Sequence, residues 1–170
     1  NDWVVKAVAQ ALMEVPEANV IWGEKSLRRF SSADIAVAVA TEGGLLTPVI
    51  RGVEKLTLPD LSAVTSDLVS RARDGKIRQD EIEGGSFAVT NLGMFGVEEF
   101  SAILNPPQSG ILAVGAATER PVVVDREIRA ATIMTVTLSA DHRAVDGALA
   151  AIWMQAFQRL IEKPAGLLIQ

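Results

Sequence analysis

Three segments of this chain carry apolar residues at helical spacing, and the β-branched runs between them do not alternate with helices one for one. That order predicts an α/β fold whose sheet is mixed, with helices packed against it, rather than a doubly wound parallel sheet. In the first segment, residues 3–14, Trp3, Ala7, Ala11 and Leu12 recur at helical intervals before Pro16 ends the run. The second opens on Asp60 as the expected N-cap, turns Leu61, Val64, Leu68 and Ala72 inward and Ser66 and Arg73 outward, and stops at Gly75. The third, residues 145–161, sets Leu149, Ile152, Trp153, Ala156 and Leu160 on one face before Lys163 and Pro164. A shorter helix is expected over 78–82.

Strands are expected over 19–22 and 26–30, paired across Gly23-Glu24-Lys25, and over 34–41 and 45–50, separated by Gly43-Gly44. Further strands are expected over 86–91, 110–117, 122–124 and 129–140. No repeat, low-complexity tract or linker interrupts the 170 residues, so one domain is expected.

What the chain lacks narrows its chemistry. It has no Cys, which removes disulfides, thiolate metal sites and a cysteine nucleophile, and a single His removes a multi-histidine metal centre. His142 is therefore the one side chain suited to proton transfer near neutral pH without a large pKa shift. A net charge of -5 with scattered Lys and Arg argues against nucleic acid as a ligand. The apolar runs fall short of the roughly 18–20 residues a bilayer requires, and no signal pattern opens the chain, so a soluble intracellular protein is expected.

His142 lies in Asp141-His142-Arg143-Ala144-Val145-Asp146-Gly147, between an apolar strand and an amphipathic helix. Such a junction can hold a side chain rigidly at the rim of a core. Two readings stand at this point: a reactive imidazole with a nearby carboxylate, or a hydrogen-bonded histidine beside an aspartate that caps the helix.

The HxxxDG pattern within DHRAVDG resembles the signature of the dihydrolipoamide acyltransferases, the E2 components of 2-oxoacid dehydrogenase complexes. HxxxDG has relatives in chloramphenicol acetyltransferase and in condensation domains. The stretches NDWVVKAVAQALMEVPEANVIW, DIAVAVATEGGLLTPV and SFAVTNLGMFGVEEFSAILNPPQSGILAVGA extend the resemblance over essentially the whole chain.

The resemblance implies a chloramphenicol-acetyltransferase-like two-layer sandwich. It also implies transfer of an acyl group, acetyl by the look of NLGMFG and NPPQSGILAVGA, between S-acyl-dihydrolipoamide and coenzyme A. A branched-chain or acetoin-type enzyme and a non-catalytic scaffold of the same fold are the alternatives, and a free-standing acetyltransferase for a soluble acceptor is a third. By position, His142 matches the general base, Asp146 the acidic or amide residue paired with it, and Thr90 the hydroxyl residue, where Ser is commoner. Asp146 is read equally as a holder of the loop, with Arg143 in the same network.

Asn105 belongs to an NPPQ stretch near the family's active site; by physics alone it is a rigid turn and a candidate for a cis bond. Thr47 belongs to a segment lining the substrate channel, which is otherwise a hairpin and strand. Gly93-Met94-Phe95-Gly96 has a nucleic-acid-clamp form, but Glu98 and Glu99 behind it disfavour phosphate.

The family's catalytic domain starts before Asn1, and lipoyl and peripheral-subunit-binding domains precede it; no lipoyl-type DKA motif occurs here. By the same resemblance the chain forms homotrimers that assemble into a cubic or dodecahedral core, with His142 of one subunit facing Thr90 of its neighbour. The lipoyl group comes on a separate domain, and the E1 and E3 components are partners. The compartment is the cytoplasm in a bacterium and the mitochondrial matrix in a eukaryote.

Overall fold

The computed structural model describes residues 1–168. In chain order its elements are α1 (Asp2–Glu14), β1 (Val20–Trp22), β2 (Leu27–Arg29), β3 (Ile35–Val37), β4 (Val39–Thr41), β5 (Gly44–Leu46), β6 (Val49–Ile50) and α2 (Leu58–Arg73). They continue with β7 (Phe87–Asn91), β8 (Gly110–Val124), β9 (Glu127–Ala140) and α3 (Gly147–Glu162). Five strands form one mixed sheet in the order β6-β3-β7-β8-β9, with β3, β7 and β8 parallel and both outer strands antiparallel. The pairs β1–β2 and β4–β5 are separate hairpins.

Side-chain alternation along the strands divides the sheet into two faces. Ile35, Val37, Phe87, Val89, Leu112 and Val114 join the buried faces of the three helices in the main core. Trp153 of α3 sits at its centre, with its ring 4.7 Å from Phe87 and 5.7 Å from Phe157. Burying such side chains contributes about 1.5–3 kcal/mol each. The opposite face carries a smaller cluster, Ala36, Val49, Ala88 and Ile111, which packs with Ala102 and Leu104. Lys6, buried in α1, donates to the carbonyls of Val53, Glu54 and Leu56 and so fixes the approach to α2.

Several expected elements divide or merge. The run 34–41 splits at Ala38 into β3 and β4, and 45–50 splits at Thr47-Pro48 into β5 and β6, each half joining a different sheet. Pro48 has no N–H to continue a ladder, though its carbonyl accepts from Val37 N–H at 2.9 Å. Conversely, 110–117 and 122–124 are one strand that passes through Pro121, opposite Ala130. Beyond Val114 the strand β8 has left β7, so Pro121 faces no partner on that side and removes no ladder bond there.

The N-cap of α2 is Thr57 rather than Asp60, whose N–H donates to the Thr57 hydroxyl at 3.3 Å. Val64 and Ile152 face outward, 37% and 54% exposed, because the helices pack on narrower stripes than their apolar periodicity allows. The expected helix over 78–82 is a single 3-10 turn, Gln79–Glu81. It is tied to α2 by a bidentate pair from Arg71 to Glu81, at 2.7 and 2.8 Å.

Gly115 marks the point where β8 turns away from β7. A Cβ there would lie 1.9 Å from the Glu98 carbonyl, and the β8–β9 register shifts between Val114 and Ala117. The two strands then run on as an arm closed by Asp125-Arg126, both at positive φ (53° and 68°), as a two-residue hairpin turn requires.

Candidate active site

The chain leaves β9 at Ala140 and is caught at once. Asp141 N–H donates to the Ser109 carbonyl at 2.8 Å, and the Asp141 carbonyl accepts from both Ala144 and Val145 N–H at 2.9 Å. Val145 is buried, and the Asp146 carboxylate accepts from Leu149 N–H at 2.8 Å, capping α3. Backbone bonds at one end and a helix cap at the other thus hold a tight turn, with His142 exposed on it.

Charge fixes the turn further. The Arg143 guanidinium grips the Asp141 carboxylate at 2.9 and 2.7 Å, and the Arg143 N–H adds a bond at 3.1 Å. These bonds from Arg143 hold the Asp141 carboxyl below its ordinary value and push the guanidinium up. The Arg143 guanidinium also stands 5.9 Å from the Trp22 ring. Arg143 therefore pairs with Asp141 and not with Asp146.

His142, Arg143 and Trp22 line a cleft of about 650 Å³, whose far wall is Pro106-Pro107-Gln108. That wall also bounds a second cleft, of about 540 Å³, which contains Thr47 and Asn105. There Asn105 Nδ2 donates to Thr47 Oγ1 at 3.3 Å. The bond between Pro106 and Pro107 is cis.

Thr90 is elsewhere. It lies on β7 opposite Ala113, on the sheet face of Ala88, and lines a third cavity of about 220 Å³ with Leu45, Arg73, Met94 and Phe95. Ala140 pairs with Gly110, and Gly110 with Phe87, so Thr90 stands three rungs along the ladder from the end of β9. Three rungs are about 10 Å, and two strand spacings add about 10 Å sideways. His142 lies beyond that end, so within one chain the two side chains do not meet.

The structure thus joins His142 to Arg143, and Thr47 to Asn105, along one continuous wall, while Thr90 and Asp146 occupy separate positions. Gln108, in the NPPQ stretch expected near the site, does line it, whereas Trp22 and Ser109 were not singled out by the sequence and carried no individual signal apart from the fold.

The fold is that of chloramphenicol acetyltransferase, which superposes over 94% of this chain and 76% of its own with a TM-score of 0.59 at 14% identity. Over residues 1–169 the chain matches the family described as 2-oxoacid dehydrogenases acyltransferase (catalytic domain), and it belongs to that family.

It is 49% identical over 169 residues to the dihydrolipoyllysine-residue acetyltransferase component of the pyruvate dehydrogenase complex of Rickettsia bellii. That match covers 99% of this chain and 40% of the relative, so the chain spans about two fifths of the length of that relative. Two solved structures superpose with a TM-score of 0.94 at 32% identity, over 99% of this chain and 70% of theirs. One is the cubic core of the pyruvate dehydrogenase multienzyme complex. The other is the Azotobacter vinelandii dihydrolipoamide acetyltransferase, studied for the roles of a serine, a histidine and an asparagine in its catalytic mechanism.

Proposed function

We propose that this chain is an acyltransferase catalytic domain that moves an acetyl group between S-acetyl-dihydrolipoamide and coenzyme A, with His142 as general base. One observation carries the reading. The serine, histidine and asparagine of the Azotobacter enzyme are spaced by 52 and 4 positions, and Thr90, His142 and Asp146 repeat both spacings on the same fold.

In the direction of CoA acylation, His142 takes the proton of the CoA thiol as its sulfur attacks the thioester carbonyl. The carbonyl π pair moves to oxygen, and the Thr90 hydroxyl donates to that oxyanion, a contribution of about 2–4 kcal/mol. Collapse re-forms the carbonyl and breaks the bond to the dihydrolipoamide sulfur, which takes the proton back from His142. Asp146 holds the turn by capping α3, so its effect on the imidazole is indirect. Thr47, Asn105 and Arg143, along the clefts that meet at Gln108, are the substrate contacts.

The separation of His142 from Thr90 within one chain supports a site shared between subunits of a homotrimer, with His142 of one copy facing Thr90 of the next. Such trimers build the larger core of the complex. The acyl group arrives on a lipoyl domain, and the E1 and E3 components complete the cycle. The protein works in the cytoplasm of a bacterium or the mitochondrial matrix of a eukaryote. The acetyl preference rests on the Rickettsia relative.

A spectrophotometric assay with acetyl-CoA and free dihydrolipoamide tests the reading. Turnover with dihydrolipoamide is expected. Turnover only with some other soluble acceptor would overturn the substrate, and none with any acceptor would overturn catalysis by this stretch of chain.

A further inference from the structure

A small cavity lies beneath the His142 turn, bounded by Ala18, Phe87, Ser109, Ala140, Val145 and Trp153, with about 10 Å³ open to the centre of a water molecule. Two polar atoms of its lining residues, Ser109 Oγ and Trp153 Nε1, are fully shielded from solvent and have no hydrogen-bond partner among the described residues. Both residues are 1% exposed. Buried donors and acceptors are paired in nearly all folded proteins, so two orphans at one cavity call for a shared partner.

No other side chain of the lining can supply it, since Phe87, Leu138, Ala140 and Val145 carry no polar side-chain atom and Gly110 has no side chain. The partner must be small and uncharged, since no charged residue lines the cavity. It must accept from an indole N–H and bond a hydroxyl. Water meets these requirements, and the room matches about one water molecule.

We propose that a single buried water bridges Trp153 Nε1 and Ser109 Oγ, and that these two are positioning residues for His142; this rests on His142 being the base. The geometry links them to the turn at both ends. The Ser109 carbonyl accepts from Asp141 N–H, one residue before His142, and Val145 at the far end of the turn lines the same cavity. The water therefore joins the start of β8 to α3 directly under the turn. Ser109 is fixed in its own right, because its N–H donates to the Ser86 carbonyl at 2.9 Å, and Ser86 bonds Asn19 through its hydroxyl.

The test is a high-resolution crystal structure of the whole protein and of Ser109→Ala, with steady-state kinetics on both. Density within about 3 Å of both atoms is expected in the unaltered protein, lost or displaced in the variant. The variant should lose several-fold in kcat with KM for CoA unchanged. Trp153→Phe, which keeps one aromatic ring but removes the N–H with the rest of the indole, should lose at least as much. An unaltered protein with no density between the two atoms would overturn the site. A bridging water whose loss leaves kcat unchanged would overturn the positioning role. Should the unaltered protein transfer no acetyl group, the proposed reaction fails, while the density still decides the site.

Discussion

The two ends of β7 are built from different materials. Near its start, the turn bearing His142 is held by backbone bonds to Ser109 and Asp141, by the Arg143 grip and by the cap on α3. Near its end, Thr90 lines a cavity with exposed apolar residues on its rim: Leu45 at 67%, Met94 at 76% and Phe95 at 70%. One end is finished within the chain, and the other presents apolar surface of the kind that a partner covers. On the proposed mechanism the contrast is functional: a base must be held in a fixed orientation before the reaction, whereas a hydroxyl on a rigid strand is already placed and lacks only what approaches it.

The largest effect should come from the finished end. His142→Ala is expected to lower kcat by at least roughly 10²-fold, the size of an acid–base contribution. Its melting temperature should stay near that of the unaltered protein, because the imidazole is exposed. Near-normal turnover would remove His142 from the mechanism.

At the other end, Thr90→Ala is expected to lower kcat by about 10²-fold with little change in KM, because an oxyanion donor acts in the transition state. A change confined to KM would make Thr90 a binding residue and narrow the contrast between the two ends.

Asp146 gives a smaller and more structural signal. Asp146→Ala should cost about 1 kcal/mol of stability through the lost cap, while Asp146→Asn keeps the cap and most of the activity. Thermal melts with paired assays separate these; a large kcat loss in Asp146→Asn at unchanged stability would make the carboxylate itself catalytic.

The smallest effect lies beside the Thr47 cleft, where Arg71 bonds Glu81 and, with the Arg78 N–H, lowers its carboxyl to about 2. A depressed carboxyl contributes stability above its unfolded value, here 4.5, and loses it as pH falls through the folded value near 2. Glu81→Gln should therefore melt slightly below the unaltered protein at pH 6 and converge with it toward about pH 2. Equal melts at both would show that the pair contributes nothing to stability.

Local patterning carried much of this molecule. Helical spacing located α1, α2 and α3, and a lone His in a chain without Cys singled out His142 as the candidate base. Non-local choices were hidden. Whether Val37 and Val39 belong to one strand depends on which sheet takes each, and no window around Ala38 records it. Pro121 reads as a strand breaker, yet it is tolerated because β7 has already ended. Thr57 outcompetes Asp60 as a cap because Pro59 suits the first turn of a helix. At the site, Ser109 reaches the His142 turn through the bond its carbonyl accepts from Asp141, and Trp22 through the packing of a separate hairpin beside Arg143, so the part of neither was legible.

On the proposed mechanism His142 and Thr90 act together from different copies of the chain. Co-assembling His142→Ala subunits with Thr90→Ala subunits and assaying acetyl transfer tests it directly. A shared site predicts recovery far above either variant alone, to about a quarter of the unaltered activity for random equal mixing in a cyclic trimer. Activity no higher than the average of the two variants would contradict it.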